Sequence, residues 1–389
     1  MSTSCKDLSK LSPSFQRNHP VLSLQTSPGG SADTWQGLLS YLDAHQCSAL
    51  FYENSDALED SHSAEQGNGN MDVFVSELTS RSMEGQCFIL NSKLFGLPHN
   101  RRRFYGAFFL LPSGPNESGL SIDVEGGRSL SDTFQTLKAF VQVCQRRPPP
   151  AREVLLPDGH KDVQDELWRR ITVESTEPER SWVAEHQQLY NLLRLPWGVD
   201  PMQPSTKASQ WYSTLTRYQQ SALVLHQYRL FLSQPTSTAI GQPISAQVPK
   251  LMIDLHPNAS RAASTSIDDN GAEIAPCILP SQLMWLHLPM ERLMTGTEAL
   301  LFQGFPLEQL PPTCGAGSNR LRQDLAGNAV SLPVMLALVL SSVHAVTWRS
   351  PRDANAQKRG DNGQNPPPQL PQAPSQDEVD DAMALFESL

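Results

Sequence analysis

The sequence lacks the cysteine spacing that a zinc module needs. Its cysteines are spread along 389 residues without a CxxC pair, so the regular zinc-binding classes are excluded. No charged segment followed by an apolar run opens the sequence, and a reducing intracellular compartment is therefore expected. The cysteines are Cys5, Cys47, Cys87, Cys144, Cys277 and Cys314.

Positive charge and long apolar runs are also scarce. The formal net charge of -10 excludes a polycationic, histone-like binder, although a local basic groove is compatible with it. The most apolar run, residues 331–346, is shorter than the ~20 residues that span a bilayer. It therefore predicts a buried helix and no membrane partner.

Residues 1–112 alternate between helical and strand patterns, which is typical of a layered α/β structure. A helical pattern over 34–50 leads into a short apolar run that ends at Glu53 and Asn54. A second helical pattern ends at Gly85, and a strand, a loop and another strand follow. Functional groups of open α/β sheets collect at the carboxyl ends of strands, so Glu53 and Asn54 are candidate site residues.

The remaining sequence predicts three further segments. Proline-rich and polar stretches interrupt helical pieces over 113–285, which predicts an insert, and regular patterns return over 286–348. Residues 349–389 have low complexity and predict a disordered tail that ends in a short acidic helix. An apolar stripe in that helix predicts either a docking element for a protein partner or a plain acidic tail; its members are Val379, Met383 and Phe386.

Three short motifs carry candidate chemistry, and each has an ordinary alternative. The consecutive arginines 101–103 predict either a solvated edge loop or a clamp for an anion or a base. Glu53 is either a surface acid or a partly buried group that exchanges a proton near neutral pH. Gly327 and Asn328, just before an apolar helix, predict a helix N-terminus that either binds a ligand or is simply capped.

In this order the motifs resemble those of the cytosine-5 methyltransferases of nucleic acids. That family has a Pro-Pro-Cys loop, a Glu-Asn-Val strand end, a Gln-x-Arg-x-Arg loop, a variable recognition region, a Leu-Gln-Gly-Phe-Pro segment and a Gly-Asn-Ala-Val segment. The matching stretches here are TSC, YENS, HNRRR, LFQGFP and GNAV, within residues 2–346. Thr3 and Ser4 replace the two prolines, and His99 replaces the glutamine.

The resemblance implies a fold and a cofactor. It implies an α/β, incomplete Rossmann-like core that uses S-adenosylmethionine, with a mixed, irregular target-recognition insert at 113–285. The glycine-rich first motif of the family's cofactor site would lie upstream of Met1. The chain alone is therefore expected to bind S-adenosylmethionine poorly.

The resemblance also implies a reaction. A Cys5 thiolate would add to C6 of a flipped cytosine, Glu53 would hold N3, and Arg101 and Arg103 would support the charged groups. The methyl group would come from S-adenosylmethionine. The cofactor-binding residues would be Gly327, Asn328, Ala329 and Val330, and the substrate-binding residues would be Ser4, Asn54, Arg292 and Gln303.

The same residues are compatible with other functions and substrates. A non-catalytic, methyltransferase-like module that binds nucleic acid or a partner is one, and an RNA substrate such as tRNA is another. DNA is the expected partner, and a nuclear location is expected if the protein is eukaryotic. Phosphate contacts are predicted in the insert at Arg146, Arg147, Arg169 and Arg170.

Overall fold

A computed structural model describes most of the chain. It covers residues 30–45, 47–59, 69–111, 129–172, 182–195, 197, 208–232, 252–255, 266–267, 273–280, 284–286, 290–310 and 318–346. Cys5, Ser4 and the whole predicted tail beyond residue 348 lie outside these ranges.

The described residues divide into two compact units. The first is drawn from Met1–Asn91, Arg102–Arg146 and Pro333–Leu389, and the second from Ser92–Arg101 and Arg147–Leu332. The chain therefore passes from the first unit to the second and back within one loop, residues 92–101.

The first unit combines one sheet with helices. Its strands are β1 (Ala49–Ser55), β2 (Met83–Asn91) and β3 (Arg102–Leu110), and β3 lies between the other two and pairs antiparallel with both. β1 and β2 are consequently parallel to each other, as expected for two strands joined through a crossover helix. Its helices include α1 (Ser31–Ala44), α2 (Asn70–Thr79), which is the crossover helix, and α3 (Leu130–Val143).

Aromatic side chains form the centre of this unit. Trp35 of α1, Tyr52 of β1 and Phe74 of α2 are fully buried, and the Phe74 ring lies 5.0 Å from Trp35 and 4.8 Å from Tyr52 between ring centroids. Burying each ring removes a large apolar area from water. The spacing that predicts a helix and a strand over 34–54 is confirmed.

The predicted end of the second helix is wrong. α2 ends at Thr79, and Ser82 then adopts a left-handed backbone conformation with φ of 58°. Gly85 lies inside β2 instead, where a Cβ atom would collide with the Ala107 carbonyl on β3. Gly85 is thus required by close strand packing and does not end a helix.

The second unit is mainly helical. Its helices are α4 (Ala151–Val154), α5 (Lys161–Thr172), α6 (Trp182–Leu192), α7 (Ala208–Ser213), α8 (Arg217–Leu232), α9 (Gly296–Leu301) and α10 (Ser318–Asn328). Its strands are β4 (Met252–Asp254), β5 (Ser266–Ile267), β6 (Glu273–Ile274), β7 (Met284–Leu286) and β8 (Arg292–Leu293). Their sheets, in the orders β4-β7-β8 and β5-β6, are antiparallel.

The helical pattern predicted over 209–232 contains a break. α7 ends at Ser213, and Thr216 begins a new helix as its N-cap. The Gln219 backbone N–H donates to the Thr216 hydroxyl at 3.2 Å, and the Thr216 N–H donates to the Gln219 side-chain oxygen at 3.0 Å. This reciprocal capping starts α8.

The apolar run over 331–346 forms helix α11 (Leu332–Ala345), and many of its side chains are buried, as predicted. Among the described residues no single helix has the length and apolarity needed to cross a membrane. By length and composition alone, the bent pair 319–328 and 332–345 would be long enough.

Candidate functional site

A carboxylate and a guanidinium meet on neighbouring strands of the first unit. Ser55 of β1 lies opposite Arg103 of β3, so Glu53, two residues earlier, lies on the same face as Arg103 and diagonal to it. Arg103 Nε is 3.6 Å from Glu53 Oε1. The Glu53 side chain is 6% exposed and that of Arg103 is 18% exposed. An acid this well buried needs a cationic partner, and Arg103 supplies it.

Asn54 points away from this pair. Successive side chains of a strand alternate between its two faces, and Asn54 shares a face with Tyr52, to whose hydroxyl its Nδ2 donates at 2.8 Å. Its Oδ1 accepts from the Ser55 N–H at 2.7 Å. The amide of Asn54 therefore fixes the end of β1 from the core side. The structure gives it a supporting position beside Glu53, in contrast to the substrate contact that the sequence predicts.

Arg101 and Arg103 belong to different units, although only one residue lies between them in the sequence. Arg101 belongs to the second unit and is 3% exposed. Its Nη1 donates to the carbonyls of Ile278 at 3.0 Å and Gly327 at 3.2 Å, and its Nη2 donates to that of Ala329 at 2.8 Å. Three main-chain acceptors thus hold the guanidinium. This geometry makes Arg101 a positioning residue for the Gly327–Ala329 backbone, in contrast to the predicted catalytic role.

The prediction that Gly327 and Asn328 begin a helix is wrong. Both residues end α10, and the next helix, α11, begins only at Leu332. Asn328 Nδ2 donates to the Asp324 carbonyl at 2.9 Å, which supports the last turn of α10. Only residues 329–331 lie between the two helices. Together with the last turn of α10 and the first residue of α11 they form the segment 326–332, called here the 326–332 connection, which contains all four predicted cofactor-binding positions.

A buried polar network of Gln303, Ser331 and Ser92 also holds this connection. Gln303 Nε2 donates to the Ala326 carbonyl at 2.9 Å, and the Gln303 carbonyl accepts from the Leu332 N–H at 2.9 Å. The Ser331 hydroxyl donates to Gln303 Oε1 at 3.2 Å and lies 2.6 Å from the hydroxyl of Ser92. Gln303, a predicted substrate contact, is 0% exposed and serves here as a brace for this connection.

Arg101, Gln303 of the FQGFP segment and the backbone of the GNAV segment are thus brought together within the second unit. Sequence reasoning missed Ser92 and Ser331, because single serines carry no spacing that marks them as partners. It also missed the acceptors of Arg101, because a sequence does not show which main-chain carbonyls a side chain will contact.

A substitution at Gly327 would measure how closely the 326–332 connection packs against its neighbours. A Cβ atom there would collide with the backbone of Leu279 and Pro280, so we expect Gly327→Ala to lower the free energy of unfolding by about 1–3 kcal/mol. Gly37 of α1 has open space around its Cβ direction, so Gly37→Ala should raise that free energy by about 0.5–1 kcal/mol. Urea denaturation measures both. Equal effects of the two alanines would contradict the close packing at Gly327.

Arg292, another predicted substrate contact, lies at the centre of a buried ionic network. Its guanidinium donates to both oxygens of Glu298 at 2.7 and 3.0 Å, to Asp158 at 2.9 Å and to the Leu156 carbonyl at 2.7 Å. Burial acts to lower the pKa of Arg292, but the bonds and charges of Glu298 and Asp158 outweigh it and raise that pKa. The side chain is 1% exposed, so it organises the protein and does not present itself to a substrate.

The capping of α9 completes this network. Glu298 accepts from the N–H and the hydroxyl of Thr295, and the Thr295 hydroxyl accepts from the Glu298 N–H. This is a Thr-x-x-Glu capping box. Asp158, which is distant in the sequence, joins the network through Arg292.

Sequence comparison assigns the chain to a family. The family model described as C-5 cytosine-specific DNA methylase matches residues 22–343. The chain belongs to this family. The match contains Glu53, the arginine loop, FQGFP and GNAV but begins after Cys5, so the role of Cys5 stays a prediction. No curated protein sequence matches the chain.

The chain is also similar, at low sequence identity, to three solved methyltransferase structures. A Dnmt2 methyltransferase of S. pombe has 14% sequence identity and a TM-score of 0.36, and covers 80% of this methylase and 71% of that chain. A DNMT2 variant of Spodoptera frugiperda has 13% identity, a TM-score of 0.34 and coverages of 88% and 78%. The Entamoeba histolytica methyltransferase EhMeth has 12% identity, a TM-score of 0.30 and coverages of 76% and 62%.

The predicted α/β class of this methylase is confirmed by its mixed helices and sheets, and the parallel β1–α2–β2 unit is the kind from which a Rossmann-like core is built.

Proposed function

We propose that this methylase transfers a methyl group to C5 of a cytosine in DNA. The observation that carries the proposal is the buried Glu53–Arg103 pair inside the family match, at the carboxyl end of β1. If the protein is eukaryotic, we propose a nuclear location, because its substrate would lie there.

The pair suits the electronic demand of this reaction. C5 of cytosine is a poor nucleophile until a group adds to C6, and the Cys5 sulfur would form that bond. The ring then needs a proton at N3, which the carboxyl of Glu53 would donate, and Arg103 would stabilise the carboxylate left behind. After methylation at C5, a base removes the C5 proton, the S–C6 bond breaks and the thiolate leaves. N3 then returns its proton to the Glu53 carboxylate.

S-adenosylmethionine, which the family uses, would supply the methyl group. The side chains of residues 328–330 suit contacts with part of this cofactor. Asn328 is exposed, and no donor among the described residues is bonded to its Oδ1, an acceptor that suits an ammonium group. Ala329 and Val330 are half-buried and suit an apolar contact. Arg101 and Gln303 would hold this segment in place through its backbone.

A mechanism-based trap tests the proposal. We expect the full-length protein, mixed with S-adenosylmethionine and duplex DNA that contains 5-fluorocytosine, to form a covalent complex, because fluorine at C5 cannot leave as a proton does. Denaturing electrophoresis measures the complex. Cys5→Ala should abolish it, whereas the control Cys47→Ala, at a half-buried cysteine, should leave it unchanged.

One observation favours a second candidate, a non-catalytic module of the same fold that binds nucleic acid. The family match begins after Cys5, so the match includes no residue assigned as the nucleophile. Binding of duplex DNA without any adduct would favour this module. An adduct that survives Cys5→Ala would instead assign the nucleophile to another residue.

A further inference from the structure

A fully buried tyrosine lies directly opposite Glu53 in the sheet of the first unit. Tyr105 of the central strand β3 pairs with Glu53 of β1 and is 0% exposed. Two residues directly opposite each other in an antiparallel pair point to the same face, with their Cβ atoms about 4.5–5.5 Å apart. Arg103 lies on the same face but only diagonal to Glu53. Tyr105 is therefore the nearest cross-strand neighbour of this carboxyl.

The ion pair with Arg103 does not by itself orient the Glu53 carboxyl. The distance of 3.6 Å between Arg103 Nε and Glu53 Oε1 is longer than an N–H···O hydrogen bond, which spans about 2.7–3.2 Å. Arg103 Nη1 donates instead to the Arg102 carbonyl at 2.9 Å. The guanidinium thus supplies charge, which acts over such a distance, but this contact gives the carboxyl little direction. Its orientation then depends on the side chains packed around it.

The aromatic ring that precedes Glu53 on β1 leans the other way. Phe51, two residues earlier, points to the same face of the sheet. Its ring lies 6.3 Å from that of Phe109 in an edge-to-face contact, and Phe109 pairs with Ala49 at the start of β1. The Phe51 ring is thus directed towards the start of the strand, away from Glu53. Among the residues of β1 and β3, Tyr105 carries the ring closest in register to Glu53.

Tyr105 is itself held between two strands. β3 lies between β1 and β2, and Phe88 of β2 pairs with Tyr105 on the side away from Glu53. A fully buried ring with a paired side chain on either side has few other rotamers open to it, because interiors are packed as densely as crystals. Tyr105 therefore presents a fixed surface to the carboxyl of Glu53.

We infer that Tyr105 is a positioning residue for Glu53, whose carboxyl its ring holds in one orientation beside the Arg103 guanidinium. The inference rests on the proposed function for the role of Glu53. A carboxyl that donates a proton and later takes it back must stay within hydrogen-bond reach of the reacting atom. A displacement of about 1 Å is enough to cost a large part of the rate. Tyr105 acts through Glu53 and need not touch the substrate.

Substitutions that remove or keep the ring test this role in the full-length protein. We expect Tyr105→Leu to lower kcat for methyl transfer by about 10- to 100-fold and to change KM much less. Tyr105→Phe, which keeps the ring, should restore most of the turnover. If the leucine variant does not fold, Tyr105→Met, which keeps more of the volume, takes its place.

Phe109→Leu is the matched control for lost packing. Phe109 lies on the same face of the same strand as Tyr105 and is also 0% exposed. Urea denaturation should show a similar loss of stability in both leucine variants, whereas Phe109→Leu should leave kcat within about twofold of the unchanged protein. An equal fall in kcat in the two variants would reduce Tyr105 to an ordinary core residue and overturn the inference.

A second measurement needs neither DNA nor a methyl donor. Glu53→Gln is combined with each leucine substitution, and the free energy of unfolding is compared with the sum of the single effects. The effects at Tyr105 and Glu53 should not add, because side chains in contact are coupled, whereas those at Phe109 and Glu53 should add. Additive effects at Tyr105 and Glu53 would refute their contact. If the coupling is found but the unchanged protein transfers no methyl group, the proposed function fails while the contact stands.

Discussion

Glu298→Gln is expected to lower the free energy of unfolding by about 3–5 kcal/mol. The change keeps the size of the side chain but removes the charge that neutralises Arg292. Both side chains are almost completely buried, at 0% and 1% exposure, so the guanidinium would lose its main counterion in a place that water does not reach. Urea denaturation followed by tryptophan fluorescence is the measurement, since Trp285 pairs directly with Leu293 beside Arg292.

An ion pair of similar shape at the surface provides the control. Arg81 binds Asp43 through Nε at 2.6 Å and Nη2 at 3.0 Å, but the side chains are 22% and 55% exposed. Asp43→Asn should therefore cost much less stability than Glu298→Gln, because water screens the exposed pair. If both amide variants lost the same stability, burial would not be the source of the effect, and the organising role of Arg292 would be refuted.

Glu53→Gln is expected to reduce the turnover number for methyl transfer by about 10²- to 10⁴-fold. The amide can still accept a hydrogen bond, but it cannot deliver a proton to N3 of the base. Because the loss falls on the chemical step, kcat should fall much more than KM changes. Transfer of tritiated methyl groups to DNA measures both constants.

Glu84 offers a matched control in the same sheet. It lies on β2, is half-buried and pairs with Phe109 of β3. Glu84→Gln should leave turnover within about twofold of the unchanged protein, in line with a substitution away from the site. A Glu53→Gln variant that retains a third or more of the activity would remove Glu53 from its assigned role.

The sequence predicts the elements around Glu53 but not their pairing. The apolar pattern predicts β1 and β3, and the resemblance names Glu53 and Arg103. The register that makes these two residues diagonal neighbours depends on strands about fifty residues apart in sequence. Local periodicity contains no information about such long-range pairing, because a shift of one residue would preserve the pattern and reverse every side chain.

Arg101 shows why a sequence motif alone does not assign the role of each residue in it. Arg101 and Arg103 look equivalent in HNRRR, yet Arg103 approaches a carboxylate and Arg101 binds three main-chain carbonyls. The side chains of a motif are visible in a sequence, whereas backbone acceptors become visible only when the chain has folded. The same reason explains why Gly327 and Asn328 appear to start a helix and in fact end one.

The manner in which the 326–332 connection is held bears on protein engineering. Arg101 and Gln303 hold it through main-chain atoms, so the side chains at 329 and 330 contribute little to its path. Those two positions could therefore be randomised while the loop keeps its shape. Position 327 is the exception and should stay glycine in any such library.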